Sequence, residues 1–415
     1  MRRPLFDLAV HGRAWAGGLA ERWVYVEGGR IARVAREPVG RAAATIELGA
    51  DQFLMPAATD LHVHLRDWSQ AEKETVETGT KSALAGGVTT VAEMPNTDPR
   101  LAAAELVERR MELLGDRSFV DFAVHAAAPD DLSEVGAMGR AGAFGLKLYP
   151  PDLPRFPALL RAAGGAGLKV AVHAEEQTML GTPRSARAEA AAVREVLERV
   201  DGRSWVRFAH LSTPEAAKAV LAAKRSGRRG LTIEVAPHHL FMDRPKAERR
   251  IGVASRVNPQ LRSPASSREM RRLLLDGSFD FYATDHAPHT LDEKLNGGAP
   301  GFPALELALP LFLTRTEDLA LACRMFCEAP AAYLGVEKGL ISAGFSADLV
   351  VVSRRDWRID PDAFVSKARV TPFAGERMSY AVDLVLLRGS AVYQDGRFVR
   401  RPVRAVRAGR SCHVH

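Results

Sequence analysis

After residue 52 the chain alternates, eight times over, between a short apolar run rich in β-branched residues and a longer segment of helical period. The runs lie near 54–65, 88–95, 119–127, 143–149, 169–175, 206–212, 231–237 and 279–286. Helical segments near 72–86, 103–115, 130–140, 155–166, 187–201, 214–226 and 265–276 separate them, and another follows near 303–315. Tight turns cannot join parallel strands, which need helical crossovers, so eight such units in series predict a (β/α)8 barrel. The flanks have another rhythm. WVYVEGGRIARVA near the start, and SADLVVVS and YAVDLVLLRGSAVYQDGRF near the end, read as short strands with hairpin turns. About 50 residues make a marginal core alone. One small β-sandwich domain built from both ends is therefore expected, with residues 1–52 and 346–415 contributing and the barrel taking 53–345.

Composition narrows the setting. The 415 residues are 47% hydrophobic, enough for a large core. No apolar run reaches the roughly 20 residues of a membrane span. MRRPLFDLAV starts basic, but Asp7 and His11 break its apolar stretch and no small-residue cleavage site follows, so no signal peptide is expected. Cys323, Cys327 and Cys412 make no disulfide framework, which suits a reducing, cytoplasmic setting. Net charge is +7, with arginines clustered near 397–410. That cluster lacks aromatic interleaving or a nucleic-acid motif, so it reads as a solvated basic tail, not a nucleic-acid surface. A positive field would also draw a small anionic substrate.

Barrel enzymes place their chemistry at the C-terminal ends of the strands. Here those ends carry polar residues one after another. Strand one ends in His62, His64 and Arg66, and strand two runs into Asn96. Lys147 lies between Leu146 and Leu148 in strand four, strand five ends at His173, and strand six ends at His210. Strand seven carries Glu234 and runs into His238 and His239, and strand eight ends in Asp285, His286 and His289. Any one could be a satisfied buried polar group; together they predict a metal site. His62 and His64, two apart on a strand, share a face. Imidazole plus carboxylate without thiolate suits Zn²⁺ or another divalent first-row ion. The donors exceed the needs of one open tetrahedral site, so two ions sharing a bridge are expected. An ammonium cannot ligate, but a buried lysine has a depressed pKa, and its neutral amine can add CO₂ to form a bridging carbamate.

Taken with their neighbours, these residues resemble the amidohydrolase superfamily, and within it the dihydroorotases. The motifs are DLHVHLRD at 60–67, GGVTTVAEMPNT at 86–97, GLKLY at 145–149, AVHAEE at 171–176 and AHLS at 209–212. EVAPHHL at 234–240, VNPQLRS at 257–263, ATDHAPHTLDEK at 283–294 and GFPALELALPL at 301–311 follow. The resemblance implies that His62, His64 and Asp285 hold one zinc, that His173 and His210 hold a second, and that carboxylated Lys147 bridges them. It implies that Asp285 shuttles the proton, that Arg66, Asn96 and His289 bind the substrate's carboxylate, and that Asn258 lines the ring pocket. It also raises a third metal near Glu234 and His239, which could equally be supporting partners of the ligands. The implied reaction interconverts dihydroorotate and N-carbamoyl-aspartate in pyrimidine synthesis.

Two departures stand out. Asp67 and Trp68 follow the arginine where many relatives have Glu-Pro-Gly, and PPDLPRF follows Tyr149 where relatives carry a mobile loop. Asp152 in that stretch is a rival to Lys147 as bridging ligand. Two other readings are a hydantoinase or allantoinase, which leaves Arg66 and His289 without a reason, and a non-catalytic partner of aspartate transcarbamoylase, which the intact ligand set opposes. A homodimer and a complex with aspartate transcarbamoylase are family-based expectations. His125 reads as a core or supporting histidine, and His413 and His415 as tail residues.

Overall fold

A computed structural model describes residues 5–176, 185–200, 202 and 204–408; Cys412, His413 and His415 lie outside them. Eight strands pair in parallel in chain order: Ala58–Val63, Val88–Glu93, Asp121–Ala127, Gly145–Leu148, Lys169–Val172, Val206–Phe208, Leu231–Val235 and Phe281–Tyr282. An α-helix lies between each of the first six strands and the next, and Pro264–Leu275 and Ala308–Thr316 complete the ring. The eighth strand meets the first where Val63 bridges His286 and the His64 N–H donates to the His286 carbonyl at 2.8 Å. Asp60 adds a clamp, its carboxylate accepting the Thr284 N–H at 3.2 Å and the Thr284 hydroxyl at 2.5 Å. The barrel strands are buried almost throughout, as parallel strands covered on both faces should be.

The other strands form a nine-stranded mixed sheet from both ends of the chain. Its seam is the antiparallel pairing of Gln52–Pro56 with Leu349–Arg358. Alternation gives the sheet two apolar faces. Leu54, Val351, Leu384 and Leu386 pack with Leu8, Val10, Val24 and Val26. Phe53, Met55, Val350, Val352, Val385 and Leu387 join the main core with Leu84, Leu309 and Phe312 of the barrel helices. Each such side chain, fully buried, contributes about 1.5–3 kcal/mol. The architecture is the expected (β/α)8 barrel with a small β-sandwich formed by both termini.

Three local expectations need correction. The run at 54–65 is two strands in different sheets, divided at Ala57. Pro56, which cannot donate to a ladder, marks the break. The eighth strand is short, Phe281–Tyr282, with a further isolated bridge at His286. The basic tail is also not simply solvated. Ala405–Val406 pairs in parallel with the third barrel strand, and Val406 is buried with Leu61, Phe144, Phe281 and Tyr333 at the barrel floor. Asp121 holds this segment by accepting the Arg404 N–H at 2.7 Å, and it also pairs with Arg388 and Lys338, each at 2.7 Å.

Gly145 opens the fourth strand for a steric reason. A Cβ there would lie 2.4 Å from the Lys169 carbonyl oxygen on the neighbouring strand. Gly145→Ala is expected to cost about 1–3 kcal/mol through overpacking and to shift Lys147 two residues on. A denaturant melt equal to that of the parent chain would contradict this.

Candidate metal centre

The strand ends converge. His62 Nε2 lies 3.4 Å from Lys147 Nζ and 3.4 Å from Asp285 Oδ1, and His64 Nε2 lies 3.3 Å from the same Asp285 oxygen. Ligand atoms of His62, His64 and Asp285 all fall within 4.8 Å of one another. The His210 ring is 5.0 Å from that of His62 and 4.5 Å from that of His173. The first, fourth, fifth, sixth and eighth strands thus deliver their polar residues to one rim.

The backbone is bent to achieve this. Arg66, His210 and Asp285 have φ of 54°, 36° and 49°. Left-handed conformations cost a non-glycine residue about 1–3 kcal/mol each and gather at functional sites. At His210 the left-handed turn redirects a side chain that strand alternation, with Arg207 inward, would aim away from the cluster.

Hydrogen bonds fix the rings. His62 Nδ1 donates to Glu234 Oε1 at 2.7 Å, and His64 Nδ1 donates to Asn96 Oδ1 at 2.5 Å. Both contacts leave Nε2 as the lone-pair nitrogen facing the cluster. Asn96, expected to bind substrate, is found orienting a ring. Glu234 further accepts the His210 N–H at 3.0 Å and pairs with Arg207. His173 Nε2 is 2.7 Å from Glu175 Oε2.

Electrostatics suit a cation. Burial holds the His62, His64 and His210 rings well below the usual imidazole range, so they are neutral donors. Burial lowers the Lys147 ammonium to about 7 and raises the Asp285 carboxyl to about 6. Buried His210 Nδ1 has no hydrogen-bond partner among the described residues. Neutral imidazoles, a carboxylate and an orphaned nitrogen, all buried, fit a metal ion.

The other expected residues fall nearby or apart. Arg66 Nη2 lies 3.3 Å from His289 Nε2, and His289 Nε2 is 3.1 Å from the Pro300 carbonyl. Asn258 is half-buried in a loop before Pro259 and makes no hydrogen bond to the cluster among the described residues. Asp152 lies apart from the cluster; its carboxylate accepts the Tyr149 N–H at 2.9 Å and caps the short helix Pro150–Arg155. His239 is buried, and neither ring nitrogen has a hydrogen-bond partner among the described residues. Sequence reasoning missed Arg207, Glu175 and the approach of His238 Nε2 to 3.8 Å from Asp285 Oδ2. For His238 the signal existed, since it precedes His239 in EVAPHHL.

Comparison with known proteins identifies the family. The model of the amidohydrolase family matches residues 53–392. A dihydroorotase from Geobacillus thermodenitrificans is 32% identical, the match covering 92% of this chain and 96% of that protein. One from Pyrobaculum aerophilum is 29% identical over 94% and 97%. Among solved structures, the L-hydantoinase (dihydropyrimidinase) of Arthrobacter aurescens superposes with a TM-score of 0.90 at 26% identity, covering 95% of this chain and 97% of that one. A D-hydantoinase from Thermus sp. reaches 0.89 at 23% identity, covering 98% and 100%, and speaks for the fold. With a metal-binding group at the strand ends of the fold these proteins share, the chain belongs to the amidohydrolase family and is a metal-dependent cyclic amide hydrolase.

Proposed function

We propose that this chain is a dihydroorotase, hydrolysing (S)-dihydroorotate to N-carbamoyl-L-aspartate and closing the ring in the biosynthetic direction. The observation that carries the choice of substrate is the Arg66–His289 contact beside the cluster. A planar guanidinium offers a carboxylate two parallel hydrogen bonds. Dihydroorotate has a ring carboxylate; hydantoin and allantoin have none. The names of the curated relatives support the same choice.

His62, His64 and Asp285 would hold one zinc ion, His173 and His210 a second, with carboxylated Lys147 between them. Bound, the ions supply Lewis acidity, acidifying water and polarising the ring amide carbonyl. The chain's own residues do the rest. The neutral amine of Lys147 adds through its lone pair to CO₂ and releases a proton, giving an anionic carbamate. Asp285 takes the proton of the attacking water as the C–O bond forms. It then hands that proton to the ring nitrogen as the C–N bond breaks. Cyclisation runs the same path backwards, so one carboxylate serves both directions.

The test is a comparison of kcat/KM on dihydroorotate, hydantoin and allantoin. Dihydroorotate should lead by roughly 10²-fold or more, because a site built for a polar group rejects substrates lacking it. Equal turnover of hydantoin would favour the second reading, a different cyclic amidase, for which the hydantoinase structures speak. Arg66→Lys should raise KM for both dihydroorotate and N-carbamoyl-aspartate by roughly 10-fold or more, a hydrogen bond between charged groups being worth about 1.5–3 kcal/mol. An unchanged KM would remove Arg66 from the carboxylate pocket.

A further inference from the structure

Beneath the cluster, inside the barrel, lies a fully buried arginine. Arg207 Nη1 donates to Glu234 Oε2 and, at 3.0 Å, to the Leu61 carbonyl. Its Nη2 is 3.1 Å from His125 Nε2, and its guanidinium lies 5.7 Å from the centre of the Tyr333 ring. The neighbours fix the proton positions. His125 Nδ1 lies 3.2 Å from the Glu93 carbonyl, which can only accept, so Nδ1 carries the hydrogen and Nε2 accepts from Arg207. On the other side Glu234 Oε1 accepts from His62 Nδ1 and from the His210 N–H.

Three donors therefore engage Glu234, two at Oε1 and one at Oε2, which leaves little of the carboxylate to a metal ion. A guanidinium in contact with the carboxylate also repels a dication placed there. His239 is not gathered with Glu234 into a group of three ligand atoms within 4.8 Å among the described residues. The third metal expected near Glu234 and His239 does not fit this arrangement.

We propose that Arg207 is the resident cation of the barrel interior, standing where the third metal was expected. Through Glu234 it acts as a positioning residue: it holds the carboxylate that sets the His62 ring and the His210 backbone. The planar fork reaches Glu234, Leu61 and His125 together, which a single ammonium does not. The exclusion of a third metal rests on the metal-centre reading; the positioning of His62 does not.

Two measurements separate these parts. In metal-free protein, the strongly hydrogen-bonded His62 Nδ1–H should give a downfield imidazole proton signal, absent in His62→Gln. It should be lost or moved in Arg207→Met and in Glu234→Gln. An unchanged signal in Arg207→Met would overturn the positioning role whether or not the chain binds metal. Native mass spectrometry of the zinc-loaded wild-type chain should count two zinc ions, and Arg207→Met should release zinc to a competing chelator about 10–100-fold more readily, as loss of a ligand's support does. A third zinc that disappears in Glu234→Gln would overturn the exclusion. A chain that takes up no zinc, yet loses the proton signal in Arg207→Met, would sustain the positioning role and remove the metal-centre reading instead. Should Arg207→Met not fold, Arg207→Lys takes its place. It keeps the charge without the fork, so it should move the signal, and an unmoved signal would overturn the proposal.

Discussion

Asp285→Asn is expected to lower dihydroorotate turnover by roughly 10²–10⁴-fold, the range lost when a general acid–base group is removed, with little change in KM. The substitution keeps the shape of the side chain and removes its capacity to carry a proton. The position is suited to that task. One oxygen faces His62 and His64 at 3.4 and 3.3 Å, and the other faces His238 at 3.8 Å. Burial raises its carboxyl from the usual carboxylate range to about 6. Because Asp285 also stands among the ligand atoms, zinc content must be measured on the same sample. Turnover lost with zinc retained identifies the proton carrier. Turnover and zinc lost together would make Asp285 a ligand first. Near-normal turnover would exclude the proton-carrier role.

The second large effect concerns Lys147. Lys147→Ala should lose bound metal and, with it, several kcal/mol of transition-state stabilisation, roughly 10³-fold or more in rate. Asp152→Ala should keep both within a small factor. The geometry separates the two residues. Lys147 is fully buried, 3.4 Å from His62 Nε2, whereas Asp152 is engaged by the Tyr149 N–H at the start of its own helical turn. Activity and metal content unchanged in Lys147→Ala but lost in Asp152→Ala would reverse the assignment.

Much of this was legible in the sequence because barrel strands buried on both faces read as apolar runs, against which a charged residue stands out. Lys147 between two leucines and the His62–His64 pair are visible for that reason, and the helices between the runs force parallel pairing. Other features were hidden for equally physical reasons. Strand alternation places Arg207 with Ala209 and opposite His210; the left-handed turn at His210 cancels that rule, so the pattern pointed to His210 and not to Arg207. Glu175, two residues beyond His173, gave no separate signal, since its link to His173 is made by side chains after the strand has ended. The division at Ala57 was obscured because both strands it separates are apolar, although Pro56 marked it. Docking of Ala405–Val406 depends on the distant Asp121, and composition described that segment only as basic.

Whether these strand ends hold metal ions that make the chain a dihydroorotase is read most directly from dihydroorotate turnover by chelator-stripped protein during titration with zinc in the presence of bicarbonate. No turnover is expected at the start, and activity should rise and level off at two zinc ions per chain. Full activity in the stripped protein, or a zinc-loaded protein that turns over hydantoin but not dihydroorotate, would contradict the proposed function.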